Sequence, residues 1–348
     1  MRIASILMLA LALTAAAQQP SPPIPLRPLV SATDSLAHQD LTFDATFAEL
    51  TLRYLQTKDP AILKQLEDSP AAAHLLEHAR NFDYDVPKDS THALVAHLMS
   101  KANADRIDAC QGSLAYFTGP MLAGPHWVND TLRYLPDDFR FHGSLFLIFG
   151  YDIGVAYAPN ASLNCAHPHF ATHPDELKFY AIHELHHVGF MSYEPPPKLA
   201  DIKTCHDLLK LVNYSTQLEG MAVWAAYSLR EKEHALGNDD DYVALQDDAR
   251  MHSDGQLYFD DLHYLQRRGD EPADDAAWAV ITRMSSGERL WYRVGALMAR
   301  TIEQKSGRAA LVALIPQGPE KFLAAYEALI APRASATPPP APPPQPRE

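Results

Sequence analysis

Proline is the residue that most restricts where this chain can fold. Of its 28 prolines, 5 fall between Pro20 and Pro28 and 8 between Pro332 and Pro346. Each removes a backbone donor and fixes φ, so such runs stay extended instead of joining helices or sheets. The folded part is therefore expected over residues 40–331, with a linker at 18–39 and a proline-rich tail at 332–348. The composition, 47% hydrophobic and 21% charged, is globular and excludes collagen-like, wholly disordered and multi-span membrane architectures. A net charge of −14 argues against a nucleic-acid partner and leaves peptides or small polar molecules.

Residues 1–17 have the three parts of a secretory signal. Met1-Arg2 is a short positive start, Ile3 to Leu13 is almost unbroken apolar, and Ala15-Ala16-Ala17 precedes polar Gln18-Gln19. The apolar run is too short to span roughly 30 Å of hydrocarbon, so cleavage after Ala17 is expected. The protein should then be periplasmic or extracellular, with no transmembrane span in its mature form. Cys110, Cys165 and Cys205 permit one disulfide at most. A Cys165–Cys205 bridge would clip the segment between them, Cys110 is an equal partner, and three buried thiols are the remaining possibility.

The periodicity predicts an α+β chain that is predominantly helical. Residues 40–139 read as helical, with Asp59-Pro60 and Ser69-Pro70 as helix starts. Residues 140–229 open with strands at 144–149, 154–157 and 161–166 and continue into helices. Residues 230–331 read as helical again, including 307–326. Thr172-His-Pro-Asp175 reads as a capped start of a helix that ends near Gly189. The acidic runs at Asp239-Asp-Asp241, Asp260-Asp261 and Asp274-Asp275 read as solvated loops and caps.

Inside that helix stands His183-Glu184-Leu185-His186-His187. Four residues make about 400° of helix and about 6 Å of rise, so His183 and His187 share a face and can bind one metal ion. Neutral imidazoles suit Zn²⁺, and Glu184, one step round the helix, can take a proton from a water that the metal acidifies. His186 reads as a neighbour of the site or a surface residue, with replacement of one of the two ligands as its alternative. His167, His169 and His173 read as loop residues and, less simply, as a second metal site.

Two imidazoles hold zinc poorly, so a third ligand is required. A third histidine six residues past His187 is ruled out, because Tyr193 occupies that place and Phe190 stands where the same pattern needs glycine. A strongly helical stretch, 213–231, carries Gln217-Leu218-Glu219-Gly220-Met221-Ala222. A carboxylate among Leu218, Met221, Ala222 and Trp224 is costly to bury without a countercharge, and a metal supplies one. Glu219 is thus the candidate third ligand; a surface glutamate is the simpler alternative, and His206 is the rival ligand.

The helix with H-E-x-x-H followed by a second helix with Glu resembles the gluzincin zinc metallopeptidases. The H-E-x-H-H and Glu-Gly-x-Ala pairing is more closely similar to secreted bacterial proteins classed only as zinc-dependent peptidases. The resemblance implies one Zn²⁺ on His183, His187 and Glu219, with Glu184 as general base. It also implies an edge strand along which an extended peptide or protein substrate would lie. Tyr292-Arg293-Val294-Gly295 is similar to the Tyr-x-x-Gly stretch of gluzincin aminopeptidases, which implies Tyr292 as donor to the developing oxyanion.

Two departures bear on activity. The Gly-x-Met-Glu-Asn strand that binds a free amino terminus in those aminopeptidases is absent, and Val223 stands where thermolysin-like proteins carry an Asp four residues after the third ligand. The leading expectation is an exported metallopeptidase. The alternatives are a zinc-binding or interaction protein without turnover, and a zinc hydrolase of a non-peptide bond.

Overall fold

The computed structural model describes residues 30–31, 40–82 and 84–331. The expected export signal at 1–17, the linker apart from 30–31, and the tail at 332–348 lie outside the described residues. Five strands form one mixed sheet: β1 (Val30–Ser31), β2 (Asp40–Asp44), β3 (His142–Ile148), β4 (Gly154–Tyr157) and β5 (Asn160–Asn164). Their spatial order is β1-β2-β3-β5-β4, which leaves β4 at one edge.

The sheet corrects the expectation for its first two strands. Residues 30–31 fall in the expected linker and 40–44 in the expected helical part, yet they pair antiparallel as β1 and β2. β2 then runs parallel to β3, Leu41 opposite Gly143 and Phe43 opposite Leu145. The cause is non-local. Leu41 and Phe43 alternate inward, and their partner strand arrives about a hundred residues later. Strand β3 is buried from Leu145 to Ile148, a continuous apolar run rather than an alternating one.

Helices α1 (Thr46–Thr57), α2 (Pro60–Glu67) and α3 (Pro70–Asn81) follow β2. Asp59 and Ser69 cap α2 and α3 as expected, accepting from Ala61 N at 2.8 Å and Ala72 N at 3.1 Å. Ser90 and Asn103 cap α4 (Thr91–Ser100) and α5 (Ala104–Tyr116), and α6 (Val128–Leu132) precedes β3. Helix α1 packs on β3 and α3 on β4. After β5 come α7 (Pro168–Thr172) and α8 (Glu176–Met191), so Thr172 ends a short helix instead of capping the long one. His169 O takes the Thr172 hydroxyl at 3.4 Å, and α8 runs two residues past Gly189.

Helix α9 (Cys205–Lys232) starts earlier than the expected 213, because Thr204 and Asp207 form a reciprocal capping box. Beyond it lie α10 (Asp240–Leu245), α11 (Asp248–Arg268), α12 (Asp275–Thr282), α13 (Leu290–Ser306), α14 (Arg308–Val312) and α15 (Pro319–Ile330). The expected helical stretch 307–326 is therefore two helices. Gly307 at φ 87° separates α13 from α14, and Gly318 at φ 88° precedes α15.

Cys110 of α5 is bonded to Cys165, and Cys205 is buried and free. The Cys165–Cys205 pairing is thus corrected. Packing of α5 on α7 brings Cys110 to the end of β5, while Cys205 opens α9 with its thiol on Pro272 O at 3.7 Å. Among the described residues no helix is long and apolar enough to cross a membrane.

Candidate metal centre

Helix α8 rests on β4, β5 and α9, and this places its histidine face against the middle of α9. His183 and His187 stand one turn apart with ring centroids 4.4 Å from each other. Glu219 Oε2 lies 3.0 Å from His183 Nε2 and 3.1 Å from His187 Nε2. One ligand atom from each of the three lies within 4.8 Å of the others. Tetrahedral ligands about 2.1 Å from zinc stand roughly 3.4 Å apart, so this donor set fits one zinc ion with little movement.

The electrostatics suit a cation. Burial alone would raise the Glu219 carboxyl, but His187 and His183 outweigh it and hold the group well below the usual carboxylate range. Burial pushes His183 down, helped by His187, whereas Glu219 pulls His187 up against its own burial. His187 Nδ1 is buried without a hydrogen-bond partner among the described residues, in keeping with the apolar Val223 in place of an acidic neighbour.

Glu184 is buried beside this cluster. Its carboxyl is pushed up to about 8, first by burial and then by Glu219 and Asp152, with His187 opposing. Gly154 of β4 makes room for it, since a Cβ there would sit 2.5 Å from Glu184 Oε1. From the other side α13 brings Tyr292, whose ring stacks on His183 at 6.4 Å. Burial and then Glu219 push the phenol up against Arg289, so it stays protonated as a donor.

All five residues border one open cleft of about 610 Å³. The sequence marks none of its other polar lining as functional; Asp239 and Asp241, which it reads as solvated, also border the cleft. Asp152 accepts from Tyr84 and from Ile153 N, the latter at 2.7 Å, and Arg289 covers the Tyr292 ring at 3.8 Å. The signal that could have found Arg289 is its place just before the Tyr-x-x-Gly stretch.

The other candidate ligands lie elsewhere. His186 is neither on the surface nor a ligand: it is fully buried with Nε2 on Tyr134 O at 3.3 Å. His206 is exposed, its backbone N donating to Gly269 O at 2.7 Å. His169 faces Glu176 at 3.4 Å, and His167 Nδ1 accepts from His169 N at 3.3 Å. Asp239 and Asp274 are caps as expected, but Asp241 and Asp261 are buried ion-pair members rather than solvated.

Residues 125–332, more than half of the chain, match the family described as “Putative zinc dependent peptidase (DUF5700)”. The chain belongs to this family. No curated protein and no solved structure matches it. The DUF5700 match contains β3 to β5 and every residue of the His-His-Glu cluster, together with Glu184, Arg289 and Tyr292. It begins after β2 and α3, although β2 belongs to the same sheet and His78 and Tyr84 line the same cleft. The cleft of this DUF5700 protein is therefore built partly by residues that precede the matched region.

Proposed function

We propose that this protein is an exported metallopeptidase that hydrolyses peptide bonds with one zinc ion held by His183, His187 and Glu219. The observation that carries the reading is Glu219 Oε2 within 3.1 Å of both imidazoles, with Glu184 on the same open cleft. Zinc held there would supply Lewis acidity, polarising the scissile carbonyl and acidifying the attacking water.

The protein's own groups supply the rest. Glu184 takes the proton of the attacking water and returns it to the leaving nitrogen, a task suited to a carboxyl whose pKa lies near neutrality. A bound dication would draw that pKa down from about 8 and favour the base form. The Tyr292 phenol donates where negative charge develops on the carbonyl oxygen. The edge strand β4 borders the cleft, so its outer backbone groups can pair with an extended peptide. Export is supported by residues 1–17 alone.

A zinc-binding protein without turnover would need neither a base nor a cleft, and both features favour the enzyme. The test combines metal analysis of the purified protein with a mixed peptide-library digest, wild type against Glu184→Gln. Stoichiometric zinc in both proteins with cleavage by the wild type alone is expected. Equal cleavage by both would sink the role of Glu184, and absence of zinc would sink the centre.

A further inference from the structure

The start of α13 borders the cleft beside the metal centre through Arg289, Trp291 and Tyr292. This helix has 17 residues, no side-chain cap and no acidic residue in its first turn, so its free N–H groups and dipole favour an anion. A second observation points the same way. Trp291 is 8% exposed and lines the cleft; its buried indole N–H is turned toward the Tyr292 hydroxyl but makes no hydrogen bond of good geometry among the described residues. A buried donor so poorly paired is costly, and a ligand acceptor would complete it.

Arg289 completes the arrangement. It precedes the helix at φ 53°, a left-handed conformation that a side-chain-bearing residue adopts at a cost. Asp241 Oδ2 holds one edge of its guanidinium, with Nε at 2.8 Å and Nη2 at 2.7 Å. Its face lies on the Tyr292 ring, and Nη1 has no hydrogen-bond partner among the described residues. The side chain is 40% exposed in the cleft wall.

The acids on this wall have partners of their own. Asp241 carries Arg293 on its other oxygen at 2.8 Å, Asp239 accepts from Tyr180 at 2.8 Å, and Glu219 faces the two histidines. The charge of Arg289 is thus shared but its donor fork is not used up. A guanidinium with an adjacent N–H donor is the pairing that a carboxylate accepts best.

We propose that Arg289, Trp291 and the first turn of α13 form a carboxylate-binding subsite beside the metal centre. Peptides with a free carboxylate near the scissile bond are then the preferred substrates. The proposal rests on the peptidase reading for its substrate class. The carboxylate has two sources, a peptide C-terminus or an Asp or Glu side chain, and Tyr292 remains free for the carbonyl oxygen.

The test measures binding, not turnover, by calorimetry on zinc-loaded Glu184→Gln protein. Three probes are used: a neutral hexapeptide with a free C-terminus, its C-terminal amide, and amides with one Asp at each position in turn. The free-carboxylate peptide or one of the Asp amides should bind about tenfold or more tighter than the neutral amide. Which of them gains identifies the source.

Arg289→Met or Trp291→Phe, added to the same background, should shrink the difference between the carboxylate probe and the neutral amide to within about twofold. Trp291→Phe keeps the ring and serves if Arg289→Met is unstable. Equal affinity for all probes overturns the proposal, and so does a difference that survives both substitutions, since the carboxylate would then sit on the metal. An affinity difference without any cleavage by the wild type would uphold the subsite while the peptidase reading fails.

Discussion

Gly220 of α9 and Gly295 of α13 meet backbone to backbone. A Cβ at Gly220 would lie 2.2 Å from the carbonyl carbon of Gly295, and one at Gly295 would lie 2.3 Å from Thr216 O. Glu219 precedes the first glycine, and Tyr292 lies one turn before the second. The crossing therefore fixes the distance between the third metal-ligand candidate and the phenol over His183. It also gives a physical reason for the glycines of Glu-Gly-x-Ala and Tyr-x-x-Gly, since no other residue permits this approach.

Gly220→Ala should force α9 and α13 apart. Overpacking of this kind costs about 1–3 kcal/mol, read as a lower denaturant midpoint. Peptide cleavage should fall more steeply than stability, because Tyr292 withdraws with α13. Gly237→Ala is the control, as nothing lies within 4 Å of a Cβ there. Equal effects of the two substitutions would refute the argument.

Gly154→Ala should act on Glu184 alone. The new methyl would overlap the carboxylate, 2.5 Å from Oε1, and turn it from its place, since the methyl's three nearest atoms all belong to Glu184. Zinc content should match the wild type while kcat falls by about a hundredfold or more, the usual contribution of a general base. A variant that loses zinc along with activity would place Gly154 in a different role.

Much of the centre was legible because it is local in sequence. The spacing of His183 and His187 is a property of one helix, and Glu219 was marked by a carboxylate set among apolar residues. The parts that escaped depend on long-range packing. Strand β2 finds β3 about a hundred residues away, and Cys110 finds Cys165 only because α5 packs on α7. Asp241 looked like one of several solvated acids, yet it is buried under Arg289 and Arg293, which come from the far end of the chain. Helical periodicity reports which face is buried, not which partner covers it.

Metal removal should destabilise the wild type and leave Glu219→Ala nearly unmoved. A ligand at a hundred times its dissociation constant stabilises by about 2.7 kcal/mol, so zinc should raise the wild-type melting temperature and a chelator should reverse the gain. Without the Glu219 carboxylate, two imidazoles hold the ion weakly and the zinc-dependent increment should largely vanish. A full increment in Glu219→Ala would point to another third ligand.

Acid should destabilise the fold through two buried histidines of α3. His74 and His78 sit one turn apart on α3, and burial lowers them to about 4 and about 3. His74 faces the Phe146 ring at 5.7 Å, and His78 Nδ1 faces the Tyr151 hydroxyl at 2.8 Å. In the unfolded chain both return to about 6.5, so between that value and their folded values the unfolded state binds more protons. Their neutral burial thus favours folding above about pH 6.5, and stability falls as pH drops toward 4, at most about 1.4 kcal/mol per pH unit for each group. His74→Gln, neutral at every pH, should flatten the fall by about one proton's slope in urea titrations from pH 7 to pH 4. An unchanged slope would mean that His74 already titrates normally in the folded protein.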